Sequence, residues 1–397
     1  MRRARDGLHA LAALGVLCLS PRSATCEARL DALTSSAAAG REPDPRPATM
    51  SDFAEQTMRE FRISPDARYS LNFFGHLALE LSEDLEPSFR LGDLDVLVSG
   101  KLGPELSVLA EVVVELEPEG AHLEVERLQV DYRGEGWALR GGRDHTRIGY
   151  WNQAYHHGVW IQPTTSRPKF IEFEDHGGFA PAHWVGIDGE VTLAHLGAGR
   201  LDLGVGVANG RGPVRNELPI LHDTNPEKAL LVNLAARQLG GRDLHAGVGA
   251  IVDWIAAEPV SVRPALPDRP ILEILLNAFF AYDARQLTAI AELFGLLHSA
   301  DHTAWTTFDG FVVVALRTLP LAPYGSFEAL VTTGSDPYFQ PTGDASTART
   351  SVELLGRLGL RLEPSEWSAL RLEYRVSSES HRPKPEHAAA LQLSFGL

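Results

Sequence analysis

The last ten residues of the chain alternate between two kinds of side chain with a period of two. The residues between the apolar ones are small or polar, and one face of an extended strand would carry only Ala389, Leu391, Leu393, Phe395 and Leu397. Strands of this kind close membrane-spanning β-barrels, because one face meets lipid while the other faces the interior. The terminal pattern therefore predicts that the chain crosses a membrane with strands.

No segment of the sequence is suited to cross a bilayer as a helix. The longest stretch with few polar residues, Leu8–Leu19, is shorter than the roughly 20 apolar residues that a spanning helix requires. A length of 397 residues suits either several soluble domains or one large barrel. Length alone therefore does not separate these two classes.

Residues 1–28 have the composition of a secretory signal peptide. Three arginines within the first five residues precede Leu8–Leu19, and small residues follow, with cleavage expected after Ala24 or Ala28. Both cysteines, Cys18 and Cys26, lie in this leader. The exported chain is therefore expected to have at most one thiol and no disulfide framework.

Residues 29–67 are rich in alanine, proline, serine and charged residues, and they predict a flexible periplasmic lead-in. A short helix over residues 52–61 is an alternative for part of this segment. The formal net charge of −16 at pH 7 argues against nucleic acid as a partner.

From Tyr69 onward the dominant period is two. The clearest run, Leu106–Glu117, is apolar on one face and carries three carboxylates on the other. We predict an all-β fold, a transmembrane antiparallel up-and-down β-barrel of about 16 strands over residues 68–397. Residues 286–298 also have helical spacing, but the barrel context favours a strand. The predicted strands are 69–81, 89–100, 105–117, 122–133, 136–144, 183–194, 200–208, 228–239, 243–255, 270–283, 286–298, 310–318, 324–333, 351–363, 367–377 and 388–397.

A soluble β-sandwich would show the same alternation, so strand length and aromatic placement must separate the two architectures. The runs are about 10–13 residues long, which exceeds the 5–6 usual in soluble strands and approaches the length needed to cross a bilayer at a tilt. Aromatic residues lie near the ends of runs, as an interfacial girdle requires. These residues are Trp137, Trp184, Trp254, Tyr324 and Trp367. A soluble secreted sandwich that binds carbohydrate through its tryptophans is an alternative.

Several segments between about Phe89 and the C-terminus together resemble a known family. They are Gly141–Tyr150, Ala322–Glu328, Asp336–Phe339, Ala369–Arg375 and Leu391–Leu397. In this order they are similar to bacterial outer-membrane porins related to the phosphate-selective porin O and P type. The first segment departs from the family pattern, because Asp144 replaces an aromatic residue and Arg147 a proline, and Leu397 replaces the usual final phenylalanine.

The resemblance implies a passive diffusion channel for small hydrophilic solutes or ions in the outer membrane of a Gram-negative bacterium. It implies as partners outer-membrane lipid and lipopolysaccharide, the barrel-assembly machinery acting on the C-terminal strand, and a homotrimer. It does not imply phosphate selectivity, because the chain has no run of lysines and its net charge is negative. A non-conducting structural or adhesive barrel is an alternative function.

One long interval, from Thr146 to Ala182, has no clean period-two alternation and is dense in aromatic and charged residues. In porins a long loop after an early strand folds into the lumen and narrows it, so this segment is the expected inward loop. The residues expected to form the pore constriction are Arg140, Arg143, Arg147, Arg167, Lys169, Glu172, Glu174 and Asp175.

The same region contains the histidines His145, His156, His157, His176 and His183. Together with the acidic residues of the loop they suggest a metal site, but their spacing matches no zinc signature. We therefore predict no metal and no cofactor, with these rings bonded to loop backbone or lining the pore. No Gly-x-Ser-x-Gly motif is present, so no enzymatic activity is predicted.

Charged residues on the predicted lumen faces include more carboxylates than arginines, which predicts a modest cation preference. Arg143, Arg147, Arg167 and Lys169 at the constriction could reverse it. The carboxylates are Glu111, Glu115, Asp202, Asp253, Glu273, Glu292, Glu328, Glu353 and Glu373, against Arg140, Arg357, Arg371 and Arg375.

Overall fold

The period-two segments form long strands. In the computed structural model, the described residues are 61–64, 67–83, 86–117, 120–156, 159–173, 176–212, 223, 225–256, 270–318, 321–333, 336, 338–339, 350–365, 367–380 and 382–396. The predicted signal peptide and most of the predicted lead-in lie outside these residues. The strands are β1 (Phe61–Ser64), β2 (Ala67–Ser82), β3 (Ser88–Lys101), β4 (Leu106–Glu117), β5 (Gly120–Gly134), β6 (Trp137–His145), β7 (His183–Leu196), β8 (Gly199–Asn209), β9 (Ala229–Arg237), β10 (Leu244–Ile255), β11 (Ile271–Asp283), β12 (Leu287–Ala300), β13 (Thr303–Leu316), β14 (Leu321–Thr332), β15 (Ser351–Ser365), β16 (Ser368–Glu379) and β17 (Glu386–Gly396).

Strands β2 to β17 form a closed barrel, because each pairs antiparallel with the next and β17 pairs back onto β2. That closing register runs from Ala388 opposite Ser82 to Gly396 opposite Phe74. Beyond it, β1 pairs with β2 at Tyr69. The predicted closed antiparallel barrel of 16 strands is confirmed.

The outward face of the barrel is apolar. Large hydrophobic side chains such as Leu276, Phe280, Leu293 and Leu358 are exposed there, while their neighbours along each strand point inward. A closed barrel with this exterior presents apolar side chains to lipid and leaves no strand edge unpaired. The soluble-sandwich alternative is therefore wrong.

The predicted strands match the observed ones closely, with two larger differences. Strand β1 lies within the predicted lead-in, at residues 61–64, and was not predicted. The prediction placed a strand at residues 310–318, whereas β13 begins at Thr303. Asp301 and His302 join β12 to β13 with φ values of 47° and 67°, which is the left-handed geometry of a tight hairpin. This turn lacks the glycine that would have marked it. The ambiguous residues 286–298 are strand, as predicted.

Connections at the barrel end that holds the C-terminus are short, as between β5 and β6 or between β7 and β8. The connection of residues 146–182 leaves from the opposite end. It contains a single helical turn, α1 (Trp151–Ala154), and a short 3₁₀ turn at Lys169–Ile171. Within the described part of the chain, no helix has both the length and the apolar character needed to span a membrane.

Candidate functional site in the barrel lumen

Residues 146–182, here called the inward loop, leave and re-enter the wall at one narrow neck. The Thr146 amide donates to the Ala182 carbonyl at 2.9 Å. The Asn152 side-chain amide donates to both Thr146 O (2.8 Å) and Ala182 O (3.0 Å). Gly149 has a φ of 74°, and a Cβ at this position would lie 2.5 Å from Glu292 Oε2. The neck therefore turns directly from the strand ends into the lumen.

Residues from both ends of the inward loop pack against the inner face of β9–β14 through a buried apolar cluster. Trp151 and Phe170 are fully buried in it. The Phe170 ring stacks on Phe294 of β12 at 4.7 Å, and Trp151 meets Phe311 of β13 edge to face at 6.0 Å. The Trp151 amide also donates to Glu292 Oε1 at 2.5 Å. This side of the lumen wall thus presents an apolar cluster, with Glu292 beside it, that the loop covers.

The middle of the inward loop reaches the inner face of β15–β17. Arg371 of β16, which is fully buried, donates to Val159 O (2.6 Å), Trp160 O (2.8 Å) and Gln162 O (2.6 Å). Arg361 of β15 donates to two of the same carbonyls, Trp160 O at 2.7 Å and Gln162 O at 2.8 Å. Backbone carbonyls thereby replace the hydration of two buried guanidinium groups.

Neighbouring side chains hold the next residues of the loop to the same wall. Glu373 of β16 accepts hydrogen bonds from the Thr165 amide (3.0 Å) and hydroxyl (2.6 Å). Arg357 of β15 donates to Arg167 O at 3.1 Å. Because the loop leaves the wall between β6 and β7 and is bonded to β15 and β16, it crosses the lumen to the far side of the barrel.

Three of the predicted constriction residues are ion-paired with the wall. Arg140 and Arg143 lie on β6, and Arg147 lies just beyond its end. Arg140 contacts Asp188 at 2.9 Å. Arg147 contacts Asp188 at 3.3 Å and Glu190 at 2.9 Å. Arg143 contacts Glu124 at 2.6 Å. These arginines and their carboxylate partners form a group of ion pairs beside the loop neck.

The predicted constriction residues of the loop itself are dispersed. Arg167 is buried within the loop, where it donates to Ile171 O (2.9 Å) and lies 4.1 Å over the Phe173 ring. Lys169 is 41% exposed and its ammonium group is bonded to Glu353 of β15. Glu172 is half-buried. The other two, Glu174 and Asp175, lie outside the described residues.

Lys169 and Glu353 border a cavity of about 140 Å³ between the loop and the wall. Its other lining residues are Phe179, Leu330, Thr332 and Ser351. The lining of this space thus includes one cationic and one anionic group.

Many of the inner-face carboxylates are engaged by internal cations or by the loop. Glu111 is paired with Arg127 at 2.6 Å. Glu273 is paired with Arg211 at 2.9 Å, and His298 bonds to the same carboxylate at 2.8 Å. The carboxylates of the predicted negative excess are therefore largely engaged in ion pairs and hydrogen bonds inside the barrel.

Two tyrosines of the loop share one acceptor on the wall. The phenols of Tyr150 and Tyr155 donate to Asp283 Oδ2 at 3.0 and 2.5 Å. Burial, together with the neighbouring Asp283 carboxylate, raises the pKa of both phenols. Both hydroxyls therefore keep their protons and act as donors at neutral pH.

Sequence reasoning missed that Arg361 and Arg371 bind the loop. The period of two does place them on inner faces, but nothing local indicates that their acceptors are distant carbonyls. Arg361 and Gln162, for example, are 199 residues apart in the sequence. It also missed Glu126, which lies beside His145, His156 and His183. His176 is not part of that group and contacts the Phe173 ring, and His157 lies outside the described residues.

Comparisons with known proteins identify solved structures that share this fold. No protein-family model matches the chain, and no curated protein sequence matches it either. Among solved structures, the outer membrane channel DcaP of Acinetobacter baumannii is similar with a TM-score of 0.57 at 12% identity, covering 85% of this chain and 99% of that one. An anion-selective porin from Comamonas acidovorans has a TM-score of 0.57 at 10% identity, covering 84% and 100%.

A trimer form of OmpT, an outer membrane protein of Vibrio cholerae, is similar with a TM-score of 0.52 at 12% identity, covering 84% of this chain and 100% of that one. At these identities the likeness establishes the fold. The closed barrel with its apolar exterior is that of an outer-membrane protein. The particular resemblance to phosphate-selective porins is not supported by these structures.

Proposed function

We propose that the protein is a narrow, porin-like channel through which small hydrophilic solutes or ions diffuse passively across the outer membrane. The observation that carries this proposal is the inward loop, which crosses the lumen of a closed barrel and is bonded to the opposite wall through Arg361 and Arg371. A loop in this position reduces the cross-section available to solutes, so it is the selectivity element. The proposal involves no catalytic step.

The charges beside the loop support a channel with weak ion preference. The arginines at the neck are paired with carboxylates, as Arg140 is with Asp188, so they present little net positive charge to a solute. The formal net charge of the whole chain is −16. We therefore propose a modest cation preference, which loss of Lys169 would increase because its partner Glu353 would then be uncompensated.

A second candidate, a non-conducting structural or adhesive barrel, is favoured by one specific observation. The inward loop packs through a buried apolar cluster, in which Trp151 and Phe170 are fully buried. A loop held by apolar burial as well as by hydrogen bonds on the opposite wall has the construction of a plug.

Single-channel recording separates the two candidates. Untagged protein refolded in detergent is inserted into planar bilayers, beside a variant in which residues 148–180 are replaced by two glycines. The short gap at the neck, 2.9 Å from Thr146 N to Ala182 O, makes this replacement sterically feasible. Folding is checked by the faster migration of unheated barrels on gels.

Small, stable current steps from the native protein and larger current steps from the variant support the channel function. A silent native protein with a conducting variant supports the plug, and silence of both folded forms refutes transport. Reversal potentials across a salt gradient test ion preference. Lys169→Gln is expected to increase cation preference, whereas Lys384→Gln, exposed between β16 and β17, is the matched control.

The trimer form of the Vibrio cholerae protein motivates a further proposal, that this barrel also assembles as a homotrimer. Light scattering of the protein in detergent, corrected for bound detergent, tests this assembly. A mass of one chain would refute it.

A further inference from the structure

Four metal-binding side chains meet at the neck of the inward loop. They are Glu126 of β5, His145 at the end of β6, His156 of the loop and His183 at the start of β7. One ligand atom from each lies within 4.8 Å of the others, and all four residues are buried. Side chains from three strands and a loop thus converge on one point of the lumen wall.

The distances within this cluster fit a shared cation. His183 Nε2 lies 2.6 Å from Glu126 Oε1 and 2.7 Å from His156 Nε2. His156 Nε2 lies 3.6 Å from the same carboxylate oxygen. Bonds of about 2.0–2.1 Å in tetrahedral geometry place ligand atoms roughly 3.3 Å apart, so shifts of less than about 1 Å in these three atoms would accommodate an ion.

Hydrogen bonds outside the cluster orient the His156 ring for this role. The Asn152 side-chain NH₂ donates to two backbone carbonyls at the neck, so its oxygen faces His156. Asn152 Oδ1 then accepts from His156 Nδ1–H at 2.7 Å and from Arg167 at 3.1 Å. With Nδ1 protonated, the lone pair of the neutral ring lies on Nε2, directed at His183 and Glu126. Second-shell hydrogen bonds of this kind fix the tautomer of metal-binding histidines.

A β-bulge places Glu126 in the cluster. Pairing between β4 and β5 passes from Glu111 opposite Arg127 to Val112 opposite Val125, which leaves Glu126 as the extra residue. Because of this bulge, two consecutive residues, Glu126 and Arg127, are both buried in the lumen. Bulges frequently re-aim a side chain next to a functional site.

The other contacts of Glu126 leave its Oε1 directed at the histidines. Arg143 approaches the second carboxylate oxygen, Oε2, at 3.4 Å, and is itself paired with Glu124 at 2.6 Å. His145 and His183 are direct cross-strand partners where β6 and β7 meet the loop, and His145 stacks on His156 with ring centres 3.6 Å apart. The wall and the loop therefore both contribute ligands.

We propose that Glu126, His145, His156 and His183 form a binding site for one divalent transition-metal ion of the zinc class. Three imidazoles and one carboxylate suit such borderline ions, whereas calcium and magnesium select sites built wholly from oxygen. The ion joins His156 of the inward loop to three strands of the wall. Its role is structural: it fastens the loop at the point where it enters the lumen.

Zinc binding to the folded, untagged barrel tests this site. Protein refolded in detergent is freed of metal with a chelator, incubated with Zn²⁺, desalted and analysed for bound zinc, and Co²⁺ is titrated in parallel to record its ligand-field absorption. We expect one zinc per barrel and the intense visible bands of four-coordinate Co²⁺. His183→Gln and Glu126→Gln are expected to weaken binding at least tenfold, since even second-shell losses reach about 10–100-fold.

The matched control is His195→Gln, an exposed histidine on the same strand as His183, which is expected to bind zinc like the native protein. The proposal is overturned if the folded native barrel retains no stoichiometric zinc, if Co²⁺ shows only the weak spectrum of the hydrated ion, or if the cluster variants bind as tightly as the control. The metal-binding measurements on the native protein test the proposal even if a variant does not fold. None of these readouts depends on conduction, so this test and the channel proposal can fail separately.

Discussion

Replacing Arg371 by methionine removes a charged attachment between the inward loop and the far wall. The native guanidinium donates to three loop carbonyls, and Arg361 shares two of them, Trp160 O and Gln162 O. The single variant therefore deprives mainly Val159 O of a charged donor, a loss of about 1.5–3 kcal/mol for a hydrogen bond to a charged group. At 1.4 kcal/mol per factor of ten, release of the loop should become about 10- to 150-fold more frequent.

Hydrogen–deuterium exchange measures this release directly. The peptide that contains Thr165, whose amide is bonded to Glu373, should exchange faster by the same factor under conditions in which reclosing is faster than exchange, because the rate then follows the opening equilibrium. The double variant with Arg361→Met should lose about 0.5–3 kcal/mol more than the sum of the singles, because the shared carbonyls then lose both donors. Arg382→Met, at an exposed ion pair with Glu379, is the control. Exchange unchanged within threefold in the Arg371 variant would refute the reasoning.

Three further predictions concern the lipid face, the apolar cluster and pH. Leu276→Arg, in the middle of β11 on the exposed face, should cost about 2–4 kcal/mol in bilayer unfolding experiments, and Leu276→Ala much less. Trp151→Ala should lower the free energy of unfolding by about 3–5 kcal/mol in guanidinium titrations, with Trp137→Ala, which is 45% exposed at a strand end, as the comparison. Because the pKa of Tyr155 is raised above its ordinary value of 10.0, the unfolded chain loses this proton first as the pH rises. The contribution of Tyr155 to stability should therefore be constant below about pH 9 and be lost above about pH 10. Stability should fall less steeply above about pH 10 in Tyr155→Phe than in the native protein, and an identical fall would contradict the assignment.

The strands of the barrel could be predicted because strand patterning is local. Side chains alternate between faces at every residue, so Leu276 and Asn277 reveal from their positions alone which faces lipid and which faces the lumen. The start of β13 was missed because its turn, Asp301–His302, contains no glycine or proline. The shift of face at Glu126 was missed for a related reason: a bulge is an extra residue in a pairing register, and register is a property of two strands.

The sequence by itself determined that this chain closes into an antiparallel barrel, since strands with one apolar face and no free edge have few other solutions in a membrane. It also determined which segment departs from the wall, because residues 146–182 break the alternation. Only the tertiary structure decided where that segment goes and what it meets. Arg371 reaches Val159 across 212 residues, and Glu126 joins three histidines from separate segments. Contacts of this kind depend on closure, register and a loop path that no local pattern encodes.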